Sequence, residues 1–266
     1  MEAQADPFGG TTGWTGGARR LLARAIERHG GWAAWRTSGG VSLRLASLTG
    51  RVPDRLGVGR TFPAPTRIEV WPRRGLTVLH DYPVAGRRGV FTAGQVQILD
   101  GATILEARAE PRASLERRRR RSWSALDALY VFGYALAHDQ SLPFSLTAAR
   151  PLTLRAARSG GRSLLGVEVE LPVGLHTHGA LQTFFFDGDG LLRRHDYVAK
   201  VVGWWASSAQ LWDDYVEAGG VLVARRRRVV ARLARFELST VALDAALDDV
   251  AAIPSVAPER PRLSLV

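Results

Sequence analysis

Three adjacent pairs in this chain join a group able to carry a proton to a carboxylate: His138 with Asp139, His195 with Asp196, and Asp213 with Asp214. Histidine changes charge near neutral pH, which makes it the commonest proton carrier in catalysis. His138 follows an apolar stretch, residues 123–137 (WSALDALYVFGYALA), in which Asp127, Tyr130, Tyr134 and His138 fall on one helical face. A histidine and a tyrosine in a dry pocket can move protons during an isomerisation or cyclisation without a cofactor. His138 is therefore the leading catalytic candidate, with Tyr134 and Asp139. His195, Tyr197 and Asp214 come second. Trp204, Trp205 and Trp212, with Tyr130 and Phe184, would shape an apolar binding pocket. Each of these residues also has a plainer reading, as a satisfied core or surface side chain.

Other chemistries lack their signatures. There is no Gly-x-Ser-x-Gly elbow, P-loop, dinucleotide glycine pattern or His-Glu-x-x-His. His176 and His178 offer two metal ligands, but no third lies within reach in sequence. His195 sits about four residues further along the hairpin, roughly 13 Å away, whereas metal-bound histidine nitrogens lie about 2 Å from the ion. Neither a metal nor a cofactor is expected.

The bulk composition narrows the partners. The 266-residue chain is 46% hydrophobic, enough for one large domain with a core, and it contains no cysteine. The net charge of +11 suggests nucleic acid, but Lys200 is the only lysine, so thirty-five of thirty-six basic residues are arginine. That skew fits GC-rich coding bias, whereas phosphate-binding surfaces mix both residue types. Nucleic acid is not expected as a partner; a hydrophobic small molecule is. No apolar run approaches the roughly 18 residues a spanning helix needs, so no membrane insertion is expected. The acidic start, Met1 to Asp6, lacks an apolar core, which points to the cytoplasm.

The elements that would position these residues are mostly strands. Residues 1–17 read as a flexible Gly-rich leader and 18–29 as an amphipathic helix, with Gly30-Gly31 as its C-cap. Trp32 and Trp35 follow in a short turn. Short β-type runs occupy 41–105 (VSLRLASL, TRIEVW, LTVLHDY, GVFTAG, VQIL), punctuated by Gly, Pro and Asp. The basic run Glu116 to Arg121 is a solvated loop or the start of a helix. The 123–137 helix is apolar nearly all round, which predicts burial on several sides, and Pro143 closes the segment. Strands resume with LTLRAA, SLLGVEVEL, a hairpin from His176 to Val202, GVLVARRRRVVARL and FELSTVAL. Residues 251–266, with Pro254, Pro258 and Pro261, read as a poorly ordered tail. The whole is an α+β fold: one large curved antiparallel sheet over 18–250, with an N-terminal helix and an inserted apolar helix filling its concave side.

Asp187-Gly188-Asp189-Gly190 is a strong turn signal. Setting Phe186 opposite Leu191 puts Gln182 opposite His195. Gln182, Phe184 and Phe186 then share a face with Leu191, Arg193, His195 and Tyr197. Thr183 and Phe185 share the other face with Leu192, Arg194 and Asp196. Both faces mix polar and apolar groups, as expected of a sheet enclosing a partly polar pocket. Arg225 to Arg228 alternate faces along one strand, so two must point inward or find partners; an arginine-covered outer surface is the plainer alternative.

The stretch FFFDGDGLLRRHDYVAKVVGWWASSAQ…GGVLVARRRRV (Phe184 to Val229) resembles an uncharacterised family of bacterial proteins. So do HGG at 29–31, GRRGVFT at 86–92 and YVFGYALAHDQSLPF at 130–144. That family is similar in fold to the lipoprotein carriers LolA and LolB: a half-barrel of antiparallel strands capped by helices around a hydrophobic cavity. The resemblance implies that the 123–137 helix plugs the cup, and it implies no fixed activity. The chain departs from the family pattern at Ala137-His138-Asp139, at Gln210-Leu211-Trp212 and at Asp214-Tyr215, where the cavity is expected. Two readings follow. The first is a cup that binds an apolar, polyketide- or terpenoid-like molecule and promotes a cofactor-free cyclisation or isomerisation in natural-product metabolism. The second is a non-catalytic carrier or sensor of lipid-like ligands.

Overall fold

The computed structural model describes residues 13–58, 62, 65–117, 122–173, 175, 177, 179–234 and 236–255. The expectations for residues 1–12, for the tail beyond 255, for His176 and His178 and for residues 118–121 of the basic run lie outside the described residues.

Six strands form the first half of the chain: β1 (Ser38–Thr49), β2 (Thr66–Trp71), β3 (Leu76–His80), β4 (Arg87–Thr92), β5 (Gln95–Asp100) and β6 (Thr103–Ala109). Seven form the second: β7 (Arg150–Ser159), β8 (Arg162–Glu170), β9 (Leu181–Phe186), β10 (Leu192–Val198), β11 (Ser207–Ala218), β12 (Val221–Leu233) and β13 (Phe236–Pro254). The helices are α1 (Gly16–Arg28), α2 (Gly31–Thr37), α3 (Arg51–Leu56), α4 (Pro111–Arg117) and α5 (Ala125–Ser141). All thirteen strands join one antiparallel sheet in the order β6-β5-β4-β3-β2-β1-β13-β12-β11-β10-β9-β8-β7. Each half is an up-and-down meander, and the two meet where β1 pairs with β13. The sheet ends at β6 and β7 and is not closed, which gives the expected α+β half-barrel. No described helix is long and apolar enough to cross a membrane.

Helix α5 lies against β2–β6. Its start is fixed by a capping box: Asp127 N–H donates to Ser124 Oγ, and Asp127 Oδ2 accepts from Ser124 N–H at 2.9 Å. Arg108 on β6 pairs with the same, fully buried Asp127. Thr77 Oγ1 on β3 donates to Gly133 O at 3.0 Å. The apolar wheel expected to be buried on several sides is so: Leu126, Ala128, Leu129 and Tyr130 are all at most 5% exposed. The helix runs further than its apolar stretch suggests, because Asp139, Gln140 and Ser141 are themselves buried rather than marking an exit.

The other wing is covered by α1 and α2. Leu21, Leu22, Ala25 and Ile26 pack with Val167, Val169, Phe184 and Phe186. The helix begins at Gly16, before the expected residue 18, and Trp14, placed in the leader by its glycine neighbours, is buried with Nε1 donating to Ala149 O at 2.7 Å. Trp32 and Trp35 sit in the helix α2 rather than a turn, and Trp35 stacks on Phe144 at 4.4 Å. Gly30 (φ +112°) lets α1 end against β12, since a Cβ there would strike the Gly220 carbonyl. Strand β11 and helix α3 had no anticipated counterpart.

The hairpin register differs from the expected one. Leu192 pairs with Phe186, and after a bulge at Arg193 His195 pairs with Phe184, not Gln182. The slip beyond the bulge is two residues, so Gln182, Phe184, His195 and Tyr197 keep the shared face. The bulge moves Leu192 onto that face as well, where it packs with Phe184 and Phe186.

A Cβ at Gly133 would fall inside the Phe91 ring, at atoms close to the backbone that cannot swing aside. Overpacking of this kind costs about 1–3 kcal/mol, more than the roughly 1 kcal/mol that alanine gains over glycine in a helix. Gly133→Ala should therefore lower the midpoint of urea unfolding; an unchanged or higher midpoint would show that α5 sits further from β4.

Candidate functional site

Where α5 ends its contact with β2–β6, a cavity of about 430 Å³ opens between α5, the central strands and α3. Leu45 on β1, Val229 and Ala231 on β12, Ala242 and Leu243 on β13 and Phe132 on α5 give it mostly apolar walls. Its mouth is bounded by Arg51 and Arg55 of α3 and by the loop 199–206.

Its inner end is polar and built across the sheet. Asp139, two residues beyond the end of the apolar α5 run, is 8% exposed; its Oδ2 accepts from Gln210 Nε2 (2.8 Å, β11) and from Arg227 Nη1 (3.0 Å, β12). Burial pushes the Asp139 carboxyl up, and Arg227 and Gln210 oppose the shift. Arg227 is 4% exposed and lies 4.9 Å over the Trp212 ring. Its Nε and Nη2 have no hydrogen-bond partner among the described residues. Tyr134 and Tyr197 also line the cavity, and burial, reinforced by Asp139, pushes both hydroxyls up, so they remain protonated.

Both candidate histidines lie behind this polar end rather than among the lining residues. His195 stacks on Phe184 at 4.4 Å and sits 4.7 Å from the Tyr197 ring. The Gln182 amide is oriented by its Nε2, which donates to Gly179 O at 2.7 Å, so its Oε1 accepts from His195 Nε2 at 2.6 Å. That bond sets the tautomer, with the proton on Nε2 and a bare, buried Nδ1. Burial, then the neighbouring His138 and Arg232, hold His195 well below the usual histidine range. The His138 ring lies 5.9 Å from that of His195, and neither of its nitrogens makes a hydrogen bond of ordinary geometry among the described residues. Burial pushes it down to about 4, with the Gln182 side chain offsetting part of the shift.

Of the sequence-chosen residues, the structure brings Tyr134, Asp139, Tyr197 and Trp205 to the cavity, with His138, His195 and Phe184 in the layer behind. Trp212 is buried beneath Arg227, and Tyr130 is core, 5.4 Å from Tyr134. Two expectations are corrected. Asp214 sits at an irregular point of β11 (φ +55°) and pairs at 2.8 Å with Arg225 on the surface, because the unpaired residue turns its side chain away from the cup. Trp204 is 85% exposed and does not line this cavity; Trp205 beside it bounds the mouth. The sequence pattern missed Arg51 and Arg55, and it marked Gln210 only as a departure from the resembled family near the expected cavity. Arg227 was signalled, since one run of four arginines on a strand must turn some of them inward; Arg226 and Arg228 instead pair with Asp244.

No protein-family model matches the sequence, and no curated protein matches it significantly. Solved structures do match in fold. One is a LolA superfamily protein from Nitrosomonas europaea (TM-score 0.51, 10% identity, 89% of this chain and 93% of that one). Another is a DUF1329 family protein from Desulfovibrio piger (TM-score 0.53, 13% identity, 90% and 94%). The chain therefore has a LolA-like fold.

The buried histidines make acid stability a direct test of this geometry. His138 is held at about 4 in the folded chain against 6.5 when free, so the unfolded state binds its proton first as pH falls. Stability is full above pH 6.5 and is lost as the pH falls from there toward 4, by about 3 kcal/mol for a shift of that size. His29, also pushed down to about 4 by burial, adds to the same limb. His138→Phe removes one contributor, so the loss in urea-unfolding free energy between pH 7 and pH 5 should shrink by about 2 kcal/mol. An unchanged loss would place His138 in contact with water.

Proposed function

We propose that this chain binds an apolar small molecule in the cavity over its central strands and carries or presents it without altering it. The observation behind this reading is a cavity of about 430 Å³, walled by Leu45, Val229, Ala231, Leu243 and Phe132, in a sheet that already has a core on each wing. Single small-ligand sites occupy about 300–1,000 Å³ and combine apolar walls with a few convergent polar groups. The LolA superfamily neighbour supports the reading through its fold alone.

A cofactor-free cyclisation or isomerisation at the same site is the second reading. It is favoured by the position of Asp139, a cavity-lining carboxyl that burial pushes toward its protonated form. Against it, Asp139 is already held by Arg227 and Gln210, and the tyrosine hydroxyls beside it are raised, which makes them poor proton donors at neutral pH.

A fluorescent naphthylamine probe should bind saturably to the wild-type chain. Filling the cavity by Ala135→Trp, or separately by Ala242→Trp, should abolish that binding in a protein with a cooperative unfolding transition. Equal binding by both folded variants would sink the cavity reading. Geranylgeraniol incubated with the protein and re-extracted should return with its connectivity unchanged; an isomeric product that depends on Asp139 would establish the catalytic reading instead.

A further inference from the structure

We propose that the cavity selects an anionic amphiphile, a molecule with one apolar chain and a carboxylate head, and that Arg227 holds the head. The proposal rests on the binding reading above and adds a chemical class to it.

The lining is unbalanced in charge. Arg51, Arg55, Arg227 and Arg232 face it against the single carboxylate of Asp139. Arg232 is neutralised by Asp196. Arg51 and Arg55 stand exposed at the mouth without a carboxylate partner among the described residues. An anion approaching the opening therefore meets an attractive field before it meets the apolar wall.

Arg227 supplies the inner contact. Asp139 takes only Nη1, while Nε and Nη2 are buried with no partner among the described residues. Buried donors are nearly always satisfied, and a charged one left bare is costly. Nε and Nη2 form one edge of the planar guanidinium, with the spacing that takes the two oxygens of a carboxylate in parallel hydrogen bonds. Trp212 covers one face of the guanidinium at 4.9 Å, so a partner for these two donors would lie in the guanidinium plane. The Tyr134 and Tyr197 hydroxyls, both kept protonated, stand beside Asp139 as further donors. Asp139 would repel the incoming head were it fully ionised and alone; its charge is already shared between Arg227 and Gln210, and burial favours its protonated form. The apolar walls of Leu45, Val229 and Leu243 then receive the tail, and about 430 Å³ suits one chain rather than several.

The test compares decanoic acid, decanol and decylamine, which share a tail and differ in head, as competitors for the bound naphthylamine probe on the full chain. The acid should displace the probe at a concentration at least about tenfold lower than the alcohol, the worth of one charge-assisted contact, and the amine should be weakest. Because Arg227→Gln alone strands Asp139, the informative variant is Arg227→Gln with Asp139→Asn, which removes both charges and leaves a polar amide at each position. In it the acid should lose its advantage of about tenfold, so that acid and alcohol displace the probe at similar concentrations. Equal affinity for acid and alcohol in the wild type would overturn the anionic head and leave the binding reading standing. A preference that survives in the double variant would overturn the assignment to Arg227 and move the head to Arg51 and Arg55. Failure of every competitor, and of the probe itself, would remove the binding reading and this proposal together.

Discussion

A sheet of thirteen strands has more concave surface than its helices can cover, and the site is a consequence of that shortfall. Strands spaced about 4.8 Å apart give a width of roughly 60 Å, while the 17-residue α5 is about 25 Å long and about 10 Å across. Helix α5 covers β2–β6, and α1 with α2 covers the opposite wing. Between them the middle strands, β11, β12, β13 and β1, keep an inner face that only the short α3, packed on β13 and β1, partly covers. Side chains there are small or partly polar, such as Ala231, Thr240, Ala242 and Ala245, so they cannot fill the gap themselves. The cavity is the part of the cup that the helices leave over.

One buried ion pair ties that uncovered middle to the helix. Asp139 on α5 reaches Arg227 on β12 and Gln210 on β11, so the end of the helix is anchored to strands it otherwise barely touches. Such a pair gains little net stability, because removing two ions from water offsets their attraction. Its structural effect is to fix where the helix ends relative to the cavity. A hydrophobic contact in its place would slide; two hydrogen bonds to one carboxylate oxygen do not.

Most of the fold was legible because its signals are local. The short β-type runs of β1–β5 between Gly, Pro and Asp, the Asp-Gly-Asp-Gly turn and the 123–137 stretch, apolar nearly all round, each specify an element without reference to anything distant. Misses arose where long-range contacts overrode local character. Trp14 reads as part of a glycine-rich leader until Ala149 supplies its partner. Strand β11 is interrupted by the Asp213-Asp214 pair, whose charges face the largely buried Arg193 and the exposed Arg225. The bulge at Arg193 shifts the hairpin register, and nothing in the turn sequence announces it. In the site, the same division holds. Tyr134 follows from helical spacing and Asp139 from its place beside His138, but Gln210 and Arg227 are 71 and 88 residues from Asp139, and only the folded sheet brings them to it. The positions at 139 and 210 that depart from the family pattern turn out to be hydrogen-bonded to each other.

The pairing of β1 with β13 also orders events in time. Each meander consists of neighbours in sequence, whose short loops close early, whereas the seam joins Val41 to Ala252 across most of the chain. The cavity straddles that seam, with Leu45 and Leu48 on one side and Leu243, Ala245 and Leu247 on the other. While the chain is still being synthesised, its two wings can therefore assemble as separate leaves, each with its own core. The cup comes into being only when β13 docks on β1, so a growing chain is blind to its ligand until β13 has been made.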